Sequence, residues 1–259
     1  MTDKNIYAVY FSPTGGTKKY VLAAAAMLGE KYKEIDLTDL DKRRKSYTLG
    51  ENDLAIIGAP VYFGRVAQIE NGIFDRLKGM GTKAILFSVY GNRDYDDALL
   101  ELKQITSENG FKTIGAAAVV APHSFCEKAG LGRPNGKDLS ALADFIEKIK
   151  LKLTDEQALD KEVFIKGHYP FKPYGKIPFY PTADGKCDKC RICFQICPAN
   201  AINAANPRNT DPDKCISCMA CVKACPQKAR GFHSVKAKMI FKMFERKLLK
   251  TNKEAEFFL

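Results

Sequence analysis

Chemistry enters this sequence through the spacing of its cysteines. The stretch CDKCRICFQICP carries them at 187, 190, 193 and 197, and CISCMACVKACP carries them at 215, 218, 221 and 225. Each set leaves two, two and three residues between its cysteines and closes on Cys-Pro. Thiolates at that spacing wrap an iron–sulfur cube. Three ligands of the tight run hold three corners, and the fourth, carried off by the turn at proline, reaches the other cube. The expected sets are Cys187, Cys190, Cys193 with Cys225, and Cys215, Cys218, Cys221 with Cys197, giving two [4Fe-4S] clusters. A zinc site takes four ligands, usually as two C-x-x-C pairs, and does not explain two sets of four ending in proline. A disulfide framework belongs to a secreted context, and the start, Met-Thr-Asp-Lys-Asn, shows no signal-peptide pattern.

Eight of nine cysteines are ligand candidates, so a reducing compartment, the cytoplasm, is expected. The formal charge of +11 invites a nucleic-acid reading. Two oxidised clusters with their thiolates would contribute about −4, however, and a bound flavin phosphate about −2 more. The basic excess therefore suits docking to acidic redox partners, with no nucleic acid as target. No apolar run reaches membrane-spanning length.

The cysteine stretch uses a small part of the 259 residues, so the rest must be a body with its own core. NIYAVYF (5–11) reads as a buried parallel strand, followed by the loop Ser12-Pro13-Thr14-Gly15-Gly16-Thr17-Lys18-Lys19 and a helix over 20–28. Further strands are expected over 32–37, 53–60, 83–89 and 113–121, and helices over 68–77, 96–108 and 137–151. The charge run 41–45 reads as a solvated loop or helix face. Alternation of this kind implies a doubly wound parallel sheet, whose ligands sit at the carboxyl ends of the strands where strand order reverses. Three loops lie there. The first, a strand–Gly-and-hydroxyl-loop–helix arrangement, suits a phosphate, because N–H groups and the helix dipole favour an anion. It matches neither a Walker A loop nor G-x-G-x-x-G. The other two, at 60–65 and 90–95, offer Tyr62, Phe63, Tyr90 and Tyr95 as flat walls for a ring.

Residues 1–153 resemble a flavodoxin, through FSPTGGTKK, GAPVYFGRV and SVYGNRDYDDAL. The whole chain resembles the EFR1-type flavodoxin–ferredoxin fusion proteins. The resemblance implies a flavodoxin-like five-stranded α/β sheet of order 2-1-3-4-5, a smaller α+β 2[4Fe-4S] ferredoxin domain, and FMN as the second cofactor. It assigns phosphate binding to Ser12, Thr14, Gly15, Gly16, Thr17 and Lys18. Ring contacts fall to Pro60, Val61, Tyr62, Phe63, Gly64, Tyr90, Gly91, Asn92 and Arg93. Many ferredoxins carry glycine on either side of the second cysteine; here Lys189 and Arg191, then Ser217 and Met219, stand there. Arg191 beside a cluster is expected to favour its reduced form.

The Pro- and aromatic-rich segment 154–182 is expected to lie along the flavodoxin-like body, with the ferredoxin domain at 183–232. In the C-terminal region, 233–259, an amphipathic helix places Val235, Met239, Ile240, Met243, Phe244 and Leu248 on one face, expected to pack on the protein. The last three residues dock or fray. Cys126 reads as structural and His123 as a surface-loop histidine, with proton delivery to a flavin as its alternative role. The function expected is electron transfer between two clusters and FMN, with ferredoxin, flavodoxin or a reductase as partner. Two other readings remain at this point: an FMN-dependent reductase of a small substrate using ferredoxin or NAD(P)H, and a ferredoxin whose first half binds a partner without flavin.

Overall fold

The computed structural model describes residues 5–259; residues 1–4, most of the start read for a signal peptide, lie outside the described residues. Ile6–Tyr10 forms β1 and Gly16–Leu28 forms α1. The helix starts four residues earlier than expected, because Gly15 takes φ +85° and turns the chain directly into helix. Then come Lys33–Asp36 (β2), Leu40–Arg43 (α2), Tyr47–Leu49 (β3), Leu54–Tyr62 (β4) and Arg65–Val66 (β5). Next are Leu77–Gly79 (β6), Thr82–Tyr90 (β7), Ala98–Glu108 (α3), Phe111–Val120 (β8), Gly136–Lys152 (α4) and Glu156–Asp160 (α5). The cysteine-rich part holds Thr182–Ala183 (β9), Ile192–Gln195 (α6), Ala220–Lys223 (α7) and Arg230–Gly231 (β10). Val235–Leu248 (α8) and Glu256–Phe258 (β11) end the chain.

The main sheet runs β11-β8-β7-β4-β1-β2. Its five parallel strands stand in the order second, first, third, fourth, fifth, which is the flavodoxin-like order 2-1-3-4-5. Core residues of β4 and β7, such as Ile56, Ile57, Ile85 and Leu86, are inaccessible, as expected of strands covered on both faces. One face packs α1 and α4 through Tyr20, Val21, Phe145 and Ile149. The other packs α3 with Leu99 and Leu102, and its apolar cluster runs on without a break into Ile216, Cys218 and Ala220 of the second cysteine motif.

Four expectations need correction. No helix forms over 68–77. Asn71 and Gly72 both take positive φ, and that Asn-Gly turn breaks the chain before β6. The charge run 41–45 is not wholly solvated. Arg43 is buried, donating to the Leu37 carbonyl at 2.8 Å and to the carbonyl of Pro198 in the other domain. On α8 the packed residues are Ala237, Phe241, Phe244 and Leu248, whereas Val235, Met239 and Met243 are 74%, 62% and 67% exposed. The tilt of the helix, set by Phe241 against Phe125 and Phe232, decides which stripe faces inward. The chain end neither frays nor merely docks: β11 extends the sheet antiparallel to β8, with Phe257 stacked 4.9 Å from Phe145.

The segment 154–182 runs over the body. Asp97 accepts the N–H groups of His168 and Lys172 at 3.0 and 2.9 Å, and the Arg65 guanidinium lies 4.7 Å over Phe171. Arg65 is anchored in turn by two 2.7 Å bonds to Glu101, a nearly buried pair.

Gly58, in the middle of β4, lets α1 sit close. A Cβ there would lie 2.4 Å from Val21 and 2.8 Å from Thr17, just where the first loop becomes helix. Gly58→Ala is expected to destabilise the protein by about 1–3 kcal/mol through overpacking, read as a lowered urea midpoint with unchanged slope.

Candidate cofactor site

Strand ends place the three expected loops around one depression. A small cavity of about 50 Å³ is lined by Ser12, Thr14, Gly16 and Thr17 on one side, with Pro60, Val61, Tyr62, Tyr90 and Gly91 opposite. No side chain caps α1 and no acidic residue occupies its first turn, so the positive end of the helix faces this cavity without a competing anion. The Lys18 N–H donates to Ser12 Oγ at 3.0 Å, which leaves the Ser12 hydroxyl hydrogen available outward. A hydroxyl-lined, acid-free helix start fits a phosphate group.

The small cavity opens onto a larger one of about 440 Å³, with which it shares Val61, Tyr62, Tyr90, Gly91 and His123. Phe63, Gly64 and Arg93 line the larger cavity as well. Four expected residues lie elsewhere. Gly15 shapes the turn but does not line either cavity. The Lys18 ammonium points away to Glu34 at 2.8 Å. Asn92 is buried, and its amide ties the Thr251 carbonyl at 2.7 Å and accepts from the Lys253 N–H at 3.0 Å, so it holds the chain end instead of a ring. Tyr95 likewise bonds Glu256 rather than entering the site.

The larger cavity also has walls that sequence reasoning missed. Ile240, Phe241 and Phe244 of α8 roof it, Pro173, Gly175 and Ile177 close one side, and Ile216 with Ser217 come from the second cysteine motif. A flat ring with one polar edge fits such aromatic and aliphatic walls. The loop after β8 supplies the fourth wall through His123, Ser124 and Phe125. His123 is therefore not a plain surface residue. Burial, with Arg93 adding to it, lowers its pKa to about 4. The Phe125 N–H donates to Nδ1 at 3.1 Å, which leaves the ring proton on Nε2.

The two cysteine motifs are folded alike at a constant offset of 28 residues. Positive φ recurs at Lys189 and Ser217, at Arg191 and Met219, and at Asn200 and Lys228. Non-glycine residues thus hold the left-handed turns that glycine often supplies, each at a cost of about 1–2 kcal/mol. Such turns aim successive N–H groups inward, as anion and iron–sulfur sites require. Ala201 and Ala229 donate their N–H groups to Cys197 and Cys225 Sγ, both at 3.3 Å. One compact cavity is lined by Cys197, Cys215, Cys218 and Cys221, which brings the fourth cysteine of the first motif to the tight run of the second. Among the described residues no three His, Cys, Asp or Glu side chains close on a single-ion site. The donor set is soft, crossed at Cys197 and arranged around a space, which fits a polynuclear cluster better than zinc.

Burial raises the thiols of Cys193 and Cys215, pushes Cys218 well above the usual thiol range and takes Cys221 up to about 11. The Arg230 guanidinium opposes this at Cys193 and Cys221. Iron would have to supply the remaining drive for deprotonation. Tyr62, on the wall shared by the small cavity and the larger one, packs against the apolar cluster that contains Cys218. Its phenol pKa is pushed far up by burial and then by Cys218. The second motif therefore abuts the cavity. The first motif exposes Cys190, while its Cys193 is buried.

The sheet and its loops define the class: a flavodoxin-like α/β body joined to a ferredoxin-like iron–sulfur domain. Residues 186–230 match the family model described as a 4Fe-4S dicluster domain. No curated protein matches the chain. Solved structures similar to part of it include a flavodoxin from the domain Archaea, 17% identical, spanning 59% of this chain and 100% of that one with a TM-score of 0.41. An NADH:FMN oxidoreductase in its apo form is 16% identical over 60% of this chain and 94% of its own, TM-score 0.43. Two-electron reduced Megasphaera elsdenii flavodoxin is 24% identical over 53% and 97%, TM-score 0.34.

Because folded His123 holds its proton less tightly than the unfolded chain, with a pKa near 4 against 6.5, the stability it confers is whole above pH 6.5 and is lost as pH falls toward 4. The loss should amount to about 2–3 kcal/mol. Urea unfolding at pH 7 and pH 4.5 checks this. His123→Gln should show a smaller drop than the wild type, and equal drops would refute the burial argument.

Proposed function

We propose that this chain is an electron-transfer flavo-iron–sulfur protein that holds two [4Fe-4S] clusters and FMN and links a one-electron carrier to a two-electron one. Cys187, Cys190, Cys193 and Cys225 hold one cluster; Cys215, Cys218, Cys221 and Cys197 hold the other. Ser12, Thr14, Gly16 and Thr17 hold the FMN phosphate, and Val61, Tyr62, Phe63 and Tyr90 wall its ring. The clusters supply one-electron exchange and FMN one- or two-electron exchange. The observation that carries this reading is the shared wall: Ile216 and Ser217, the two residues between Cys215 and Cys218, line the same cavity as the loops after β4 and β7.

The protein's own residues do the rest. Tyr62, Ile216 and the α8 phenylalanines exclude water from the space between the buried motif and the ring site. His123, neutral at pH 7, presents an N–H to the cavity without adding charge. Exposed Lys186, Lys189, Arg191 and Lys228 surround the first motif, with Asp188 the acidic exception. That basic rim suits an acidic redox protein such as a ferredoxin or a flavodoxin.

Gly15→Asp places an anion at the helix start while keeping a residue type that tolerates the left-handed turn. Protein reconstituted with iron, sulfide and FMN should then keep its cluster absorption and lose at least 90%, roughly a tenfold weakening, of flavin retention. Flavin retained at the wild-type level would sink the phosphate assignment. Cys197→Ala should remove the cluster of the second motif while the first survives; loss of the first motif's cluster instead would reverse the crossed assignment.

A further inference from the structure

Among the positions buried in both cysteine motifs, the 28-residue correspondence breaks at one. Ile202 stands opposite Arg230, and the two are 2% and 4% exposed. Ile202 packs on Cys193 and Cys221 as an apolar core residue would. Arg230 puts a guanidinium into the matching place. Its Nη1 donates to Cys193 Sγ at 3.7 Å and to the Pro207 carbonyl. Its Nη2 donates to the Pro181 carbonyl at 2.8 Å and to the Thr210 hydroxyl. Nε is buried with no acceptor. Arg65 and Arg133, also largely enclosed, are each matched by a carboxylate, Glu101 and Asp138, whereas buried Arg43, among the described residues, donates only to carbonyls and to no cysteine sulfur. Around Arg230, among the described residues, there are carbonyls, a hydroxyl and thiols. A buried guanidinium cannot shed its proton, so a charge with no carboxylate partner is costly unless another anion supplies the balance. The sulfurs placed to be that anion are Cys193, in contact, and Cys221, which lies in one buried cluster with Cys193 and Ile202.

We propose that Arg230 is the shared counter-charge of the two clusters and sets the redox poise of both. This rests on the ligand assignment proposed above, in which Cys193 serves one cluster and Cys221 the other. Reducing a cluster adds one electron, breaks no bond and takes up no proton, so its charge becomes more negative by one. A fixed cation beside one ligand of each cluster favours that state in both, in the same direction. The exposed Arg191, flagged by sequence for this role, is screened by water and salt; Arg230 acts inside the protein, where the field is stronger. Arg230 is a positioning and tuning residue, not a catalytic one.

The test uses the full chain reconstituted with iron and sulfide, titrated with dithionite and followed by electron paramagnetic resonance. Arg230→Gln keeps hydrogen-bond donors and removes the charge; Arg230→Lys keeps the charge and loses the planar fork. At a fixed solution potential the reduced-to-oxidised ratio of both clusters should fall at least tenfold in the Gln variant, a 59 mV shift for a one-electron couple. The Lys variant should stay within threefold of the wild type. Equal shifts in both variants, or none in either, would show a structural role and overturn the proposal. If Gln loses its clusters while Lys keeps them, the charge requirement is upheld; if both lose them alike, it is refuted. Failure of the wild type to take up iron and sulfide would instead overturn the ligand assignment and the inference with it.

Discussion

Cys218 has its side chain inside the apolar layer that also contains Phe11, Leu37 and Leu99, and that burial governs how the two halves of the molecule relate. A loop carrying a metal-ligand residue is ordinarily polar and wet. Here Ile216 and Ala220 on either side are buried against the α3 face of the sheet, so the loop is desolvated as a unit. At about 25 cal/mol per Å² of apolar surface, even this short segment contributes several kcal/mol to holding the domains together. The same burial excludes water between the second cysteine motif and the cavity at the strand ends.

Polar contacts then fix the angle that apolar packing leaves loose. Arg43 reaches from α2 to the Pro198 carbonyl, beside the fourth cysteine of the first motif, and its guanidinium lies 5.7 Å from the Phe11 ring. Burial lowers its pKa, yet it stays charged, so it adds a second fixed cation near Cys197. Lys223 to Glu127 at 2.8 Å and Lys176 to Asp213 at 2.9 Å join other parts of the seam. Both are exposed enough to count for orientation more than for stability. The linker is bound by Asp97 and by the Arg65–Glu101 pair, so it acts as a strap along the body rather than as a tether.

The C-terminal segment completes the cavity from the far end of the chain. Phe241 and Phe244 cover it, Asn92 ties the end of α8 through the Thr251 carbonyl, and β11 joins the edge of the sheet beside β8. An exposed edge strand is a hazard for association, and β11 covers the Ala116–Ala118 part of that row of β8 with the chain's own backbone. The result is a cavity whose loops come from the first half of the sequence and whose roof comes from the last twenty-five residues.

Local pattern and spacing carried much of this. Five apolar runs alternating with helical ones are enough to imply a parallel sheet, because strands covered on both faces have no polar side to show. Fixed cysteine offsets imply crossed ligands, because a short run can reach only part of one cube. The Gly-Gly loop after β1 was legible since only a few residue types suit a left-handed turn into a helix start. What local pattern could not decide was which side of a helix or a loop meets which partner. The apolar stripe of α8 reads as Val235, Met239, Ile240, Met243, Phe244 and Leu248; Phe244 and Leu248 do pack, but contact with Phe125 and Phe232 turns Phe241 inward with Ala237 and leaves Val235, Met239 and Met243 exposed. Lys18 and Asn92 stand in the right loops yet face Glu34 and Thr251, since side-chain direction depends on neighbours far away in sequence. His123, Ile216 and Arg230 had no sequence signal beyond their types. Their environment is made by chain segments that meet only in the folded protein, where burial and the nearness of charge, not spacing, determine what each can do.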